Sequence, residues 1–348
     1  MIHQLPVPTP VLLDGAELRR VLEPEALLGA IERSLSLLDR GAVALGPTLH
    51  LPGDGGGFHA KSAYSLGAPR RAAVKLNANF PGNPARHGLP TVQGVVALFD
   101  LERGRLLALM DSIAVTALRT AAVSALAARR LARRDSRTIA LVGCGVQGHE
   151  HLVLLARDFP LAIARLHDRD RAAASGLASR AAALGLEATV EGSVSDAVRD
   201  ADLIVTATPS RSPLLADRDV APGAFVAAVG ADNPEKSEID PVLLARSRVV
   251  VDSLEAARCG GDLRAALAAG AMTAEDVHGE LPALLAGRLR GRTDPAERFV
   301  FDSTGLAAAD LAAASLAYDA ASGDPAVRRF DFSGIQLPRP LAVGRISP

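Results

Sequence analysis

The sequence predicts an α/β fold built on a doubly wound parallel sheet, and three observations in its middle part support this. From about residue 138 onward, short apolar runs of strand length alternate with helical segments across short connections. Runs such as residues 225–229 are apolar throughout, which is typical of strands that are covered on both faces. A glycine-rich segment, Gly143-Cys144-Gly145-Val146-Gln147-Gly148, follows one predicted strand and opens a helix.

The first 134 residues mix both kinds of element. Apolar positions that recur at three and four predict the helices, and short apolar or alternating runs predict the strands. We expect, in chain order, helices at 12–21 and 24–41, a glycine-rich turn at 53–57, short strand pieces from 58 to 80, strands at 93–99 and 106–110, and a helix at 116–134. The turn at Glu102-Arg103-Gly104 makes the last two strands a predicted hairpin.

The rest of the chain supplies the predicted parallel sheet. We expect its strands at 138–142, 163–167, 187–190, 203–207, 224–229 and 248–251, with helices near 148–157, 171–184 and 194–201. A further helix is expected near 306–318, followed by an extended tail that contains Pro338, Pro340 and Pro348.

Composition narrows the class of protein. The 348 residues suit two domains, and 49% hydrophobic with 22% charged residues suits a globular chain. A net charge of −1 gives no electrostatic reason to expect nucleic acid or an anionic membrane as a partner. No apolar run reaches the length of a membrane span, and the first residues lack a basic region followed by an apolar run. With two cysteines and no disulfide framework, we expect a cytoplasmic protein.

The glycine segment predicts a dinucleotide site. Gly143 permits the tight turn, Gly145 lets the backbone approach a pyrophosphate, and Gly148 allows the helix to pack closely on the strand. The helix N-terminus offers free N–H groups to phosphate. Asp168 ends the next strand, where a carboxylate would accept hydrogen bonds from the ribose hydroxyls.

The choice between the two nicotinamide cofactors rests on two neighbouring residues. Asp168 would repel a 2′-phosphate and favours NAD(H), whereas Arg169 could accommodate that phosphate. We therefore expect NAD(H), with NADP(H) as the alternative. Cys144 is interpreted as a small loop residue, since the sequence places no base beside it. His149 and His151 do not share a helix face, so we expect no metal site.

Several separated motifs, in order along the chain, carry a family resemblance. They are KLNANFPGNP at 75–84, GLPTVQG at 88–94, ALMDS at 108–112, TALRTAA at 116–122, VGAD at 229–232 and FDSTGL at 301–306. With them the chain resembles the ornithine cyclodeaminase/mu-crystallin family from about residue 12 to residue 318, and is most similar to its ketimine and pyrroline-2-carboxylate reductase-like members. That family also includes cyclodeaminases, alanine dehydrogenases, opine-type enzymes and a hormone-binding crystallin.

The resemblance implies a homodimer of two-domain subunits. Residues 1–130 with 305–348 would form an α+β domain for substrate binding and dimerisation, and residues 131–304 a Rossmann-type NAD(P)-binding domain. The active site would lie in the cleft between them. The substrate would be a small imino or amino acid.

The resemblance also implies roles for individual residues. Lys75 and Arg119 would hold a substrate carboxylate, Thr304 would touch the substrate, and Asp232 would face the reacting nitrogen and transfer protons. The cofactor contacts would come from Thr91, Arg119, Gly143, Gly145, Val146, Gln147, Gly148, Asp168, Arg169, Thr206, Thr208, Val229, Gly230, Asp232, Lys236 and Ser303. These roles make chemical sense, because an arginine fork binds carboxylate bidentately and a C=N carbon accepts hydride better when its nitrogen is protonated.

One segment departs from the family pattern. Many members carry an arginine after the proline of an early Pro-x-Arg segment, whereas this chain reads GPTLH at 46–50. A few residues later, Lys61 stands where many members have an apolar residue. We hypothesise that Lys61 replaces the lost cation; the alternative is a lysine that points to solvent from an edge strand. His59 is a weaker candidate for the same role.

The sequence thus favours NAD(P)H-dependent reduction of a small α-imino acid, cyclic such as pyrroline-2-carboxylate or piperideine-2-carboxylate, or acyclic. Two enzymatic alternatives remain: a cyclodeaminase acting on ornithine or lysine with bound NAD, and an amino acid dehydrogenase resembling alanine dehydrogenase. A third alternative is a non-catalytic crystallin-like binding protein. The missing arginine weakens the cyclodeaminase reading.

Overall fold

A computed structural model describes residues 9–331 of the chain. The extended tail expected around Pro338, Pro340 and Pro348 therefore lies outside the described residues, as do the ends of the N- and C-terminal segments expected to form one domain. None of the helices in the described range has the length and apolarity needed to cross a membrane.

The first sheet is mostly antiparallel and has seven strands. They are β1 (Val11–Leu13), β2 (Val43–Leu45), β3 (Leu49–Gly53), β4 (Gly56–Ser65), β5 (Arg71–Asn79), β6 (Val92–Asp100) and β7 (Arg105–Asp111). Six follow the order β1-β7-β6-β5-β4-β2, and β3 pairs with β4. The helices of this part are α1 (Gly15–Val21), α2 (Pro24–Asp39), α3 (Asn83–His87) and α4 (Ser112–Leu131).

Three of the sequence predictions for this part are corrected. Residues 12 and 13 lie in β1 instead of a helix, because β1 pairs in parallel with β7 and Asp14 caps the start of α1. The region from 58 to 80 forms two long strands and not short pieces. The long helix starts at Ser112, where the Asp111 carboxylate accepts a hydrogen bond from the Ile113 amide at 2.8 Å.

The second sheet is wholly parallel and has eight strands. They are β8 (Thr138–Val142), β9 (Ile163–His167), β10 (Glu187–Val190), β11 (Leu203–Thr206), β12 (Phe225–Ala228), β13 (Arg248–Val251), β14 (Gly279–Glu280) and β15 (Phe299–Asp302). Their order, β10-β9-β8-β11-β12-β15-β13-β14, begins with the 3-2-1-4-5-6 pattern of dinucleotide-binding sheets. The doubly wound parallel sheet is confirmed, although β14 and β15 were not predicted as strands.

The remaining helices follow β8 along the chain. They are α5 (Val146–Asp158), α6 (Arg171–Ala183), α7 (Val194–Val198), α8 (Pro241–Ala245), α9 (Leu254–Cys259), α10 (Gly261–Ala268), α11 (Leu281–Leu285) and α12 (Ala307–Ala321), with short 3-10 turns at Asp217–Asp219 and Ala274–Asp276. After β15 the chain returns to the first sheet, where α12 packs on α2, β4 and β5. Helix α4 contacts α12 on one side and α5, β12 and β15 on the other, so it joins the two sheets.

The register of the parallel strands brings the last residues of β8, β11, β12 and β15 to the same level. Thr206 of β11 lies between Val142 of β8 and Ala228 of β12, and Ala228 pairs in turn with Asp302 of β15. The carboxyl ends of four neighbouring strands therefore meet at one edge of the sheet. Open α/β sheets bind their ligands at this edge.

Candidate active site

The glycine loop has the geometry of a phosphate-binding turn. A Cβ on Gly143, whose φ is +98°, would lie 2.5 Å from the Ala207 carbonyl oxygen, and one on Gly148 would lie 2.5 Å from the Gly143 oxygen. The fold itself therefore requires these two glycines. Gly145 caps α5, and a Cβ there would meet no atom within 4 Å. That space lies before a helix N-terminus, so the residues present fit a dinucleotide pyrophosphate.

Asp168 lies beside the glycine loop. One of its carboxylate oxygens accepts a hydrogen bond from the Cys144 amide at 2.7 Å, and the other accepts from the Asp170 amide at 2.9 Å. The acid thus holds the loop at the position expected to meet a ribose. Arg169 is exposed next to it. Cys144 is buried, and burial with the nearby Asp168 charge raises the pKa of its thiol to about 12, so it is inert as a nucleophile at neutral pH.

A cavity of about 310 Å³ opens between the carboxyl edge of the parallel sheet and α4. It is lined by Val92, Thr116, Arg119, Thr120, Gln147, Ala207, Thr208, Pro209, Val229, Gly230, Asp232, Lys236, Ser303, Thr304 and Gly305. Most of the predicted cofactor residues beyond the glycine loop thus border one space. Four do not: Thr206 is fully buried behind the wall, Thr91 precedes the lining residue Val92, and Asp168 and Arg169 lie beside the glycine loop.

Two buried cations share one buried acid next to this cavity. The Lys75 Nζ atom lies 2.9 Å from an Asp310 carboxylate oxygen, and the Arg119 Nε atom lies 3.0 Å from the other oxygen. The three residues come from β5, α4 and α12, so three separate elements build the cluster. Burial, followed by the Arg119 charge, lowers the pKa of Lys75 to about 8.

Lys61 reaches the same region from β4, where it is paired across the strands with Lys75. Its amino group donates hydrogen bonds to the carbonyl oxygens of Thr304 at 3.1 Å and Gly305 at 3.0 Å. A Cβ on Gly305 would lie 3.1 Å from an Arg119 guanidinium nitrogen, so these carbonyls adjoin the arginine. Burial and then the Arg119 charge lower the pKa of Lys61. The alternative of a lysine that points to solvent is wrong.

Asp232 borders the cavity from the loop after β12. Its carboxylate accepts hydrogen bonds from Lys236 Nζ at 2.8 Å and from the Asn233 side-chain amide at 3.2 Å. Half of this side chain remains exposed, at 51%. It is therefore accessible to a ligand, unlike Asp310.

His59 lies on the same face of β4 as Lys61. Its Nδ1 atom is 3.0 Å from Nδ1 of His50. Burial and the neighbouring His50 lower its pKa, so the ring is neutral at pH 7 and is no substitute for a fixed cation. Among residues 9–331 no group of three or more His, Cys, Asp or Glu side chains is arranged to hold a metal ion.

Sequence reasoning missed three buried acids. Asp310 pairs with the cations, Asp252 accepts hydrogen bonds from the Thr304 hydroxyl at 2.9 Å and the Gly305 amide at 2.5 Å, and Glu238 lies behind the cavity wall. Asp310 carried a signal, because it is the one charged residue in the alanine- and leucine-rich stretch from 306 to 318. Asp252 and Glu238 carried none, since each acts on residues distant in sequence.

The model of the ornithine cyclodeaminase/mu-crystallin family matches residues 11–324. The chain belongs to this family. A curated relative, the alanine dehydrogenase of Archaeoglobus fulgidus, is 35% identical over 309 residues, 89% of this chain and 94% of that protein. The Delta(1)-pyrroline-2-carboxylate reductase 2 of Burkholderia ambifaria is 36% identical over 88% of this chain and 94% of its own length.

Solved structures agree over the whole fold. An archaeal alanine dehydrogenase dimer with bound NAD superposes with a TM-score of 0.88 at 34% identity, covering 93% of this chain and 99% of that one. The Thermococcus litoralis Delta(1)-pyrroline-2-carboxylate reductase in complex with NADH and L-proline gives 0.87 at 27% identity, over 92% and 100%. The iminosuccinate reductase of Paracoccus denitrificans in complex with NAD+ gives 0.85 at 30% identity, over 93% and 99%. The predicted family and fold class are confirmed.

Proposed function

We propose that this chain reduces the C=N bond of a small α-imino acid with NADH and releases the corresponding amino acid. It is an NAD(H)-binding oxidoreductase, as the named reductases and the NAD-bound neighbours of its family are. The imino acid as substrate, and the roles of individual residues, are the proposed part. NADH is preferred to NADPH because the Asp168 carboxylate lies beside the glycine loop, where a 2′-phosphate would meet a negative charge.

The cluster of cations beside the cavity is the observation that carries the proposal. Lys61, Lys75 and Arg119 converge there, and within the described residues Asp310 is the only carboxylate in direct contact with any of them. Asp252 and Asp232 act on Lys61 through their charge without touching it, so an anionic substrate would give the three cations a second directly bound partner. A carboxylate has both the charge and the planar geometry that an arginine fork prefers.

Hydride addition then needs a protonated nitrogen on the substrate. NADH, when bound, supplies the hydride that the imine carbon accepts. Asp232 lines the cavity and is half exposed, so it can take a proton from solvent and pass it to the imine nitrogen, and its carboxylate can then stabilise the iminium. Lys236, at 2.8 Å, holds that carboxylate in its orientation between turnovers. Arg119, Lys75 and Lys61 would hold the substrate carboxylate while the nitrogen faces Asp232.

The hypothesis that this chain is a cyclodeaminase has less support. Such an enzyme would also need to bind the distal ammonium of ornithine or lysine. Asp310 already serves Lys75 and Arg119, and Asp252 accepts hydrogen bonds from Ser253, Thr304 and Gly305. Neither acid is free for that ammonium.

We also propose that the chain forms a homodimer through the outer face of its first sheet. This face carries exposed apolar side chains, namely Leu49, Leu51, Phe58, Tyr64, Val74 and Leu76, on the three adjacent strands β3, β4 and β5. A contiguous apolar patch of this kind is typical of an interaction surface. The archaeal alanine dehydrogenase with bound NAD is a dimer.

The test is a screen for NADH and NADPH oxidation with the purified protein. Substrates would be pyrroline-2-carboxylate, piperideine-2-carboxylate, and pyruvate or oxaloacetate with ammonia or methylamine. We expect turnover with at least one imine, faster with NADH. Release of ammonia from ornithine without net change in NADH would identify a cyclodeaminase instead. Absence of turnover with every imine would overturn the proposal.

A further inference from the structure

Glu238 is a fully buried acid whose two carboxylate oxygens are both hydrogen-bonded behind the cavity wall. One oxygen accepts from the Thr206 hydroxyl at 2.7 Å and the Gly230 amide at 2.8 Å. The other accepts from the Thr208 amide at 2.6 Å and the Thr208 hydroxyl at 2.7 Å. Burying a carboxylate is costly, and these four donors offset that cost only while they stay in the geometry that Glu238 fixes.

The groups that Glu238 holds belong to two different strand ends. Thr206 and Thr208 lie at the end of β11, and Gly230 follows β12. A Cβ on Gly230 would lie 2.6 Å from the Glu238 carboxylate, so the loop passes as close to the acid as a backbone can. Thr208 and Gly230 both line the cavity on their other side. The acid therefore sets the shape of the cavity wall from behind.

The part of the cavity wall that Glu238 supports would face only one half of a bound dinucleotide. The pyrophosphate fits before the N-terminus of α5, and Asp168 marks the ribose of the adenosine half on the β9 side. Strands β11 and β12 lie on the opposite side of β8. The nicotinamide half therefore faces the wall that Glu238 supports.

We propose that Glu238 is a positioning residue for the nicotinamide half of the cofactor, which acts by clamping the β11 and β12 loops together. It touches neither cofactor nor substrate. Asp262 supports it in turn, because an Asp262 oxygen accepts from the backbone amides of Glu238 at 2.7 Å and Ile239 at 2.9 Å. The inference rests on NAD(H) binding at the glycine loop, and not on the identity of the imino acid.

Two ligands separate positioning from a general loss of structure. NADH contains both halves of the dinucleotide, whereas ADP-ribose lacks the nicotinamide ring. In Glu238→Gln one acceptor oxygen becomes an NH₂ group that opposes the donors around it. We expect the Kd for NADH, measured by fluorescence titration, to rise about tenfold, a modest value for one disrupted buried hydrogen-bond set. The Kd for ADP-ribose, measured by calorimetry, should stay within about twofold, since its contacts lie on the other side of β8.

A second variant keeps the test valid if Glu238→Gln does not fold. Thr206→Val keeps the shape of a buried strand residue that does not line the cavity, and removes only the hydroxyl that donates to Glu238. It should raise the Kd for NADH about threefold, because one donor of the set is lost, without change in the Kd for ADP-ribose.

Asp202→Asn is the matched control. The Asp202 carboxylate accepts hydrogen bonds from the backbone amides of Arg137 and Thr138 at 2.7 and 2.9 Å. These contacts lie at the amino ends of β8 and β11, whereas the cavity lies at the carboxyl ends. This variant should lower the thermal midpoint and leave both dissociation constants unchanged. The proposal is overturned if Glu238→Gln or Thr206→Val binds NADH like the wild type, or weakens both ligands equally. Failure of the imine screen with intact NADH binding would remove the proposed substrate and leave this inference standing.

Discussion

At the scale of single residues, Lys61, Lys75 and Arg119 lie close together and have one directly bound carboxylate among them. Lys75 and Arg119 divide one acid, Asp310, while Lys61 is satisfied by two carbonyl oxygens. Carbonyl dipoles offset the positive charge less than a carboxylate would. Repulsion from Arg119 is accordingly among the effects that lower the pKa of both lysines. A ligand carboxylate would relieve this repulsion.

Lys61→Ala tests whether the lysine supplies the cation missing from the early segment. We expect the KM for the imino acid to rise about tenfold or more with a smaller change in kcat, because a charged hydrogen bond is lost from substrate binding. Lys61→Arg should recover part of the affinity. Ser62→Ala, which changes the next residue of the same strand, serves as the control. An unchanged KM in Lys61→Ala would contradict the role.

The pH dependence of substrate binding tests Lys75. Its pKa is lowered to about 8, so the amino group is charged below this value and loses its charge as the pH rises through it. The KM for the imino acid should therefore be lowest below pH 8 and should rise above it. Steady-state kinetics from pH 6.5 to 9.5 would show the change. In Lys75→Arg, whose side chain stays charged, that rise should disappear; a wild-type KM that is flat to pH 9.5 would rule out a binding role for the charge.

At the scale of elements, two glycines of the turn between β8 and α5 have different roles: Gly148 is needed for packing, and Gly145 leaves open space for the proposed ligand. Gly148→Ala would place a Cβ 2.5 Å from the Gly143 oxygen, so we expect the free energy of unfolding to fall by about 1–3 kcal/mol. Gly145→Ala adds its Cβ to open space. It should leave the thermal midpoint within about 1 °C, since it creates no clash, yet weaken NADH binding at least tenfold by occupying the pyrophosphate position.

Two measurements check this pair, thermal unfolding and NADH titration. Gly176→Ala is the control, because a Cβ there also meets no atom within 4 Å and the residue lies in α6. If Gly145→Ala bound NADH as tightly as Gly176→Ala, the open space before α5 would not be the pyrophosphate position.

Some strands could be predicted from the sequence and others could not. The parallel strands from β8 to β13 and the β6–β7 hairpin were predictable because their apolar runs and turns are local signals. Strand β1 was not, since its three residues take their conformation from pairing with β7, almost a hundred residues away. Strand β15 was missed for the same reason, because its place between β12 and β13 depends on the assembled sheet.

The residues of the candidate site also divide into those with a local sequence signal and those without one. Lys75, Arg119 and Asp232 were found through motifs, and Lys61 through a departure from them. Their partners were not found. The contact of Lys75 with Asp310 spans 235 residues, and Glu238 acts on Thr206 from 32 residues away. Such contacts depend on how distant elements pack together, and no local pattern in a single sequence indicates them.

At the scale of the whole molecule, the site depends on both sheets. The cations come from β4, β5 and α4, whereas Asp232 and the glycine loop follow strands of the parallel sheet. Helix α4 packs against both parts and carries Arg119 at the boundary. The relative position of the two sheets therefore sets the distance between the three cations proposed to bind the substrate carboxylate and Asp232, the proposed proton donor.

The outer face of the first sheet gives the last prediction, which concerns assembly. Val74 and Leu76 are 39% and 40% exposed, on the face of β5 opposite to buried Lys75. If two copies pair through this face, light scattering coupled to size exclusion should give twice the chain mass of 36.0 kDa. Val74→Glu with Leu76→Glu should reduce it to one chain mass, because charges without partners are costly to bury at an interface.

Leu184→Glu controls for the added charge. Leu184 is 38% exposed at the end of α6, far from the first sheet, so its substitution should leave the dimer intact. A monomeric wild type would exclude the dimer, and a double variant that keeps twice the chain mass would exclude this face. Because Lys75 alternates with Val74 and Leu76 along β5, the same strand would carry the dimer contact on one side and the carboxylate anchor on the other. Dissociation should then raise the KM for the imino acid while the Kd for ADP-ribose, bound on the parallel sheet, stays the same.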